Sequence, residues 1–300
     1  MKKPNFFIVG APKSGTTAMA DYLDDHEDVF VCKPKEPCYF STDFPDQQLV
    51  STPEDYAALF QEAGPHHKAV GEGSVWYLYS RMALENIYQY NPDARIIVML
   101  RNPVEQVYSM HQELFHRRYE TESDFTSAWK MQKARKKGEG IPKYCKEAEF
   151  LQYSAIAEYA AQIARLKQVF PEDQVKIILF DDFKRDTRQV YLDVLGFLGL
   201  PDDGRTDFAP SLESRRHKLH WLGTFLINQP AWLISARNRF KRALGLKRIG
   251  LRDIVAKHNT VVEKRVPLPP DFVQELKCHF RDDIHALSQM IGRDLSYWCR

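Results

Sequence analysis

Apolar residues along this chain fall into two patterns, short saturated runs and longer stretches where they recur every third or fourth position. Phe6–Val9, Val29–Val31, Lys68–Gly71, Arg95–Leu100 and Val175–Phe180 are rich in β-branched or large apolar residues and bounded by turn residues or charge. That pattern predicts strands, and Phe6–Val9 reads as one buried on both faces. Helical spacing predicts helices over Thr16–Leu23, Pro53–Gln61, Ser80–Tyr90, Pro103–Arg117, Ala148–Phe170, Thr187–Leu198 and Pro270–Gly292. Strands alternating with helices imply βαβ units, hence a central parallel sheet flanked by helices in an α/β, three-layer fold with a helical C-terminal portion. Residues 1–300 are expected to form a single domain, with a variable region at about 201–266. Lys130–Lys143, basic and glycine-containing, reads as a solvated excursion between helices.

Composition narrows the setting. A chain of 300 residues can bury a large core. Its net charge of +2 argues against a whole-surface grip on nucleic acid, so anion binding has to come from local clusters. The five cysteines are odd in number and show no Cys-x-x-Cys or Cys/His ligand spacing, which points away from disulfides or zinc and toward a reducing compartment. The apolar run after Met1-Lys-Lys is too short for a signal-peptide core, and no stretch approaches transmembrane length. A soluble, cytoplasmic protein is the expectation.

Gly10-Ala-Pro-Lys13-Ser14-Gly15-Thr16-Thr17 lies between the first predicted strand and the first predicted helix. Backbone N–H groups at a helix N-terminus make an anion site, glycine lets the main chain approach, and a lysine adds a point charge. A Walker loop places lysine directly after its second glycine. Here Thr16 holds that position and the lysine lies inside the loop, so the chain departs from the NTPase pattern while keeping a P-loop-type arrangement.

Val9–Thr17 resembles the 5'-phosphosulfate-binding loop of sulfotransferases that use 3'-phosphoadenosine 5'-phosphosulfate (PAPS). The resemblance implies that Lys13, Ser14, Gly15, Thr16 and Thr17 hold the 5'-phosphosulfate, with Lys13 neutralising charge on the bridging oxygen. A second segment, Ile97–Ser109, is similar to the family's 3'-phosphate motif, which implies cofactor roles for Arg101 and Ser109. Phe170–Lys184 and Val194–Leu200 look like the family's later strand and helix, with Phe180 a ring contact near the adenine. Gly292–Trp298 is similar to the family's C-terminal ending. The implied donor is PAPS, and the implied chemistry requires no metal.

In-line sulfonyl transfer needs a base for the acceptor proton and cations on the leaving group. Lys35-Glu36-Pro37 resembles the Lys-Glu-Pro motif of the family's glycosaminoglycan branch, which implies Glu36 as catalytic base and Lys35 as a partner for the sulfonyl oxygens or substrate. His111 and, beyond it, His116 are further candidate bases on the same predicted helix as Ser109. Glu72, with Ser74 and Trp76, is a candidate lining of the acceptor site. Arg215 and Arg216, in the basic run Ser214–Lys218, are candidate ligands of the 3'-phosphate.

The acceptor stays open among small-molecule, lipid and carbohydrate compounds. An apolar, tryptophan-containing stretch followed by a cluster without acids, residues 219–248, reads as a helical lid, as core packing or as a peripheral membrane contact. Two rival readings remain. In a P-loop kinase or NTPase, Asp181 and Asp182 would bind magnesium. In a non-catalytic anion-binding or membrane module, loop mutants would behave like wild type.

Overall fold

In a computed structural model of the protein, which describes residues 2–208, 215–217, 260–262 and 266–300, the saturated apolar runs become one sheet. Its strands are β1 (Phe6–Gly10), β2 (Val29–Val31), β3 (Ala69–Gly73), β4 (Arg95–Leu100) and β5 (Val175–Leu179). They pair in parallel in the order β2-β3-β1-β4-β5. Alternate residues of a strand face opposite sides, so a strand covered twice must be apolar throughout. Phe7, Val9, Ile96, Val98 and Leu100 enter one core, whereas Phe6, Ile8, Ile97 and Met99 enter the other.

The helices are α1 (Thr16–Asp24), α2 (Pro53–Ala58), α3 (Ala83–Tyr90), α4 (Pro103–His116), α5 (Phe125–Lys130) and α6 (Gln132–Arg135). They continue with α7 (Tyr153–Ala157), α8 (Tyr159–Val169), α9 (Phe180–Arg185), α10 (Thr187–Leu198) and α11 (Pro270–Ile291). Met19 and Leu23 of α1 pack with Tyr191, Val194 and Leu195 of α10 over the Phe6/Ile8 face. Residues of α3, α4, α8 and α11 cover the Phe7/Val9 face. The expected three-layer α/β fold is therefore the observed one.

The chain divides into two compact units, 1–211 with 268–300, and 212–267. Within the second, Arg215–His217 (β6) and Thr260–Val262 (β7) form an antiparallel ribbon, and the side chains of both strands lie outside the described residues. Residues 219–248, read as lid, core packing or membrane contact, also lie outside them. No helix among the described residues is long and apolar enough to cross a membrane.

Two expectations change. The single helix over 148–170 is instead a 3-10 turn (Ala148–Leu151), α7 and α8, broken at Glu158. The break is held from both sides: Asp283 of α11 accepts from the Tyr159 and Ala160 N–H groups at 2.8 and 3.0 Å. Gln162 donates to the carbonyls of Ala155, Ile156 and Glu158. A carboxylate arriving from another helix supplies the N-cap that the local sequence lacks. Second, Lys130–Lys143 is not wholly solvated, because α6 carries Arg135 into the interior. There Arg135 forms a two-pronged pair with Glu120, donating from Nη2 at 2.7 Å and also from Nη1. The Tyr153 hydroxyl donates to the same carboxylate at 2.8 Å.

Removing one partner of such a buried pair leaves the other charge without compensation. Arg135→Met is expected to destabilise the fold by about 3–5 kcal/mol in urea titration. Adding Glu120→Leu should recover most of that loss, because the stranded charge goes with it.

Candidate active site

All five strands run the same way, so the segments leaving their carboxyl ends meet at one edge of the sheet. The connection from β1 leads toward β2, while β4 lies on the other side of β1. Such a switch point opens the crevice where ligands bind in open α/β sheets. The loop after β1 and Arg101 after β4 both stand there.

The loop turns into α1 through Gly15, which is the N-cap in left-handed conformation at φ +88°. A Cβ on Gly15 would lie 3.0 Å from the Phe180 ring, so the residue must be glycine for two reasons. No side chain caps α1, and its opening N–H groups are left for an anion. Lys13 is also left-handed, at φ +63°, a conformation that a non-glycine residue keeps only when its surroundings impose it. Those surroundings come from the segment after β4 and the helix it leads into. Arg101 Nη1 donates to the Lys13 carbonyl at 3.2 Å, and Gln106 Nε2 donates to the Pro12 carbonyl at 3.1 Å. The Arg101 guanidinium lies over the Phe180 ring, 4.8 Å from its centroid, and pairs with Glu105 at 2.6 Å.

Positive charge gathers around the loop. Lys13 Nζ sits 3.2 Å from Glu113 Oε2, and Arg117 Nε sits 2.5 Å from the other oxygen of that carboxylate. Burial acts to raise the Glu113 pKa, but Lys13 and Arg117 overcome it and bring it down to about 2. Lys35 Nζ reaches back to donate to Thr17 Oγ1 at 2.8 Å. Burial pulls the Lys35 ammonium below its ordinary pKa, opposed by Glu36 and Asp21. Glu36, half-buried and at φ +62°, is close enough to Lys35, Arg117 and Glu72 for its charge to act on each.

The structure thus brings together Lys13, Ser14, Gly15, Thr16, Thr17, Lys35, Glu36, Arg101 and Phe180. Ser14 of the loop and Thr16 at the start of α1 are buried, and Ser109 is buried on the α4 stripe that includes Gln106 and Glu113. His111 does not join them. At about 100° per residue it projects roughly opposite Glu113. Its ring is buried against Phe125 and Tyr153, with Nε2 2.8 Å from the Glu122 carbonyl, and burial lowers its pKa. Glu72, Ser74 and Trp76, expected to line an acceptor space, are instead buried: Trp76 stacks on Phe150 at 3.7 Å, and Glu72 is enclosed by hydroxyls. The side chains of Arg215 and Arg216 lie outside the described residues.

Sequence reasoning missed Gln106, Glu113 and Arg117. The signal was available, since 106, 109, 113 and 117 form one helical stripe with Ser109. Asp181 and Asp182, the rival reading's metal ligands, are committed elsewhere. Asp181 accepts from Trp298 Nε1 at 2.7 Å and from the Tyr297 hydroxyl at 3.1 Å. Asp182 pairs with Arg185 and Arg293.

The sequence profile of the sulfotransferase domain matches residues 3–211, the stretch that carries every side chain of this cluster. The chain belongs to the sulfotransferase family. A crystallised sulfotransferase from Alicyclobacillus acidocaldarius is similar over the whole of both chains, at 28% identity and a TM-score of 0.74. The membrane-associated sulfotransferase kil1 of Dictyostelium discoideum is 29% identical over 36% of this chain and 22% of that protein. Human carbohydrate sulfotransferase 15 is 29% identical over 35% of this chain and 26% of its own. The chain thus covers only 22% and 26% of these two relatives. The domain is thus of a transferase family, and the kinase reading gives way to it.

The depressed Glu113 pKa sets a pH test. Its contribution to stability is fully present above the ordinary value of 4.5 and is lost as pH falls toward about 2. Glu113→Gln should therefore lower the melting temperature at pH 7 and converge with wild type near pH 2.

Proposed function

We infer that this sulfotransferase draws its sulfonyl group from PAPS and delivers it to a hydroxyl or amine of a carbohydrate or small-molecule acceptor, with Glu36 as general base. The observation that carries this reading is the convergence of the uncapped α1 N-terminus, Lys13, Lys35, Arg101 and Phe180 at one end of the sheet. These residues suit a ligand with phosphate at both ends of a nucleoside. The loop N–H groups and Thr17 would hold the 5' end, Arg101 and Ser109 the 3'-phosphate, and Phe180 offers a ring for the adenine.

When bound, that donor supplies an electrophilic sulfonyl group on a phosphate leaving group. Lys13 and Lys35 bring positive charge to the loop, where negative charge grows during transfer. Glu36 takes the acceptor proton, and the left-handed backbone at Glu36 fixes where its carboxylate stands. The likeness to a carbohydrate sulfotransferase favours a sugar hydroxyl as acceptor.

Calorimetric titration with 3'-phosphoadenosine 5'-phosphate, beside AMP and magnesium-free ATP, tests the donor. Tight binding of the bisphosphate alone, weakened about 10–100-fold in Arg101→Ala, is expected from the loss of a charge-assisted contact. Equal or better binding of ATP overturns the reading. Release of the bisphosphate from PAPS, followed across a panel of phenols and of neutral and acidic sugars, tests the base. Glu36→Gln should lower turnover about 10²–10⁴-fold while leaving nucleotide affinity unchanged.

A further inference from the structure

Glu72 is a fully buried carboxylate that the proposed chemistry does not use. It sits in β3, between Gly71 and Gly73. Oε1 accepts from the Tyr56 hydroxyl at 2.8 Å and the Tyr77 hydroxyl at 2.9 Å, and Oε2 accepts from Ser74 Oγ at 2.6 Å. All three donors are neutral. Each also holds the chain just beyond Glu36. Ser74 Oγ accepts from the Cys38 N–H at 3.1 Å, and the Tyr77 oxygen accepts from the Phe40 N–H at 3.3 Å. The Tyr56 ring stacks on Tyr39 at 4.4 Å and meets Phe40 edge-on at 5.1 Å.

Three consecutive residues, Cys38 to Phe40, are therefore each gripped by a group whose hydroxyl is fixed by Glu72. The grip is needed because Glu36 and Cys38 both hold left-handed backbone, at φ +62° and +53°. Non-glycine residues keep such conformations only where neighbouring structure over-determines them. The next residue of β3 serves the same segment from the other side. A Cβ at Gly73 would lie 3.2 Å from Lys35 Cε, so this glycine makes room for the lysine stem that runs to Thr17.

We propose that Glu72 is a positioning residue, whose ionised carboxylate locks Ser74, Tyr56 and Tyr77 and through them the turn that presents Glu36. This rests on the assignment of Glu36 as base. Hydroxyls aimed at a carboxylate have no freedom to turn elsewhere, so the two N–H groups they receive are fixed in direction as well as distance. Protonating Glu72 would add a competing donor and leave one hydroxyl without its acceptor.

Burial raises the Glu72 pKa to about 7, against the three hydroxyls that lower it, with Glu36 adding to the rise. The other titratable groups facing it are Tyr56, Tyr77, Tyr90, Cys32 and Cys38, and burial pushes the pKa of each upward. They stay neutral where Glu72 titrates. The linkage then has a distinctive sign. Because the folded-state pKa is raised, Glu72 contributes most to global stability below its ordinary value of 4.5, and that contribution is lost as pH rises through about 7. The turn is ordered in the opposite sense, tightening as the carboxylate ionises.

Amide hydrogen exchange at Cys38 and Phe40, corrected for the intrinsic pH dependence, reads this directly beside thermal unfolding of the same samples. In wild type, protection of both amides should rise as pH increases through about 7 while the melting temperature does not. Glu72→Gln should lack that rise and exchange both amides about tenfold faster at pH 8, the scale of one lost hydrogen bond. Ser74→Ala should release Cys38 alone, and Tyr77→Phe should release Phe40 alone, so the proposal stays testable if Glu72→Gln fails to fold. Unchanged protection in these variants overturns it.

Turnover of the fastest acceptor from the phenol and sugar panel separates this proposal from the base assignment. Glu72→Gln should lower kcat with nucleotide affinity intact. Full kcat in Glu72→Gln, with Glu36→Gln inactive, overturns the positioning role alone. Full activity in Glu36→Gln overturns the base assignment, and the positioning of a base with it.

Discussion

Everything at the active end of the sheet depends on how Gly10–Gly15 is held open. A loop that leaves its N–H groups for an anion has given up the hydrogen bonds that would otherwise shape it. Its form is imposed from the carbonyl side, where Arg101 takes the Lys13 oxygen and Gln106 takes the Pro12 oxygen. Arg101 directly follows β4 and Gln106 lies in the first turns of α4, and β4 pairs with β1. The sheet register thus places the helix that moulds the loop, and the mould leaves the donor face of the loop clear.

The same economy appears at the acceptor side. The segment after β2 carries Lys35 and Glu36 and forms neither helix nor strand itself. Hydroxyls arranged around the end of β3 support it, so the rigid element is once again a strand and the working residues sit one step away from it. Proximity between the two segments comes from Lys35, which bridges to Thr17 in the first turn of α1.

The strands were legible because a parallel sheet buried on both faces demands unbroken apolar runs, and β1 and β4 fall where those runs predict. The loop was legible because glycine, lysine and hydroxyls crowd one strand-to-helix junction. What escaped were features created by distant partners. The break at Glu158 exists because Asp283 arrives from α11 to cap α8, a meeting no local window contains. Arg135 reads as solvated by composition, yet Glu120 and Tyr153 draw it inside. Glu113 and Arg117 read as ordinary exposed helix charges until Lys13 is seen opposite them. His111 shows the reverse failure, since its neighbours in sequence gave no sign that α5 and α7 would bury its ring.

The pairing of Lys13 with Glu113, and of Arg101 with Glu105, makes the donor crevice an internal salt. A ligand enters such a crevice by exchange, displacing a carboxylate already in place, so net attraction is weak at long range. A single small anion exchanges for one carboxylate at one cation, although Glu113 keeps Arg117 when Lys13 is taken. A ligand charged at both ends would make two such exchanges in one molecule, so the second follows without a second loss of translational freedom. With the proposed donor, selectivity for a doubly phosphorylated nucleoside over free sulfate or phosphate would be set by the acids of the site as much as by its bases.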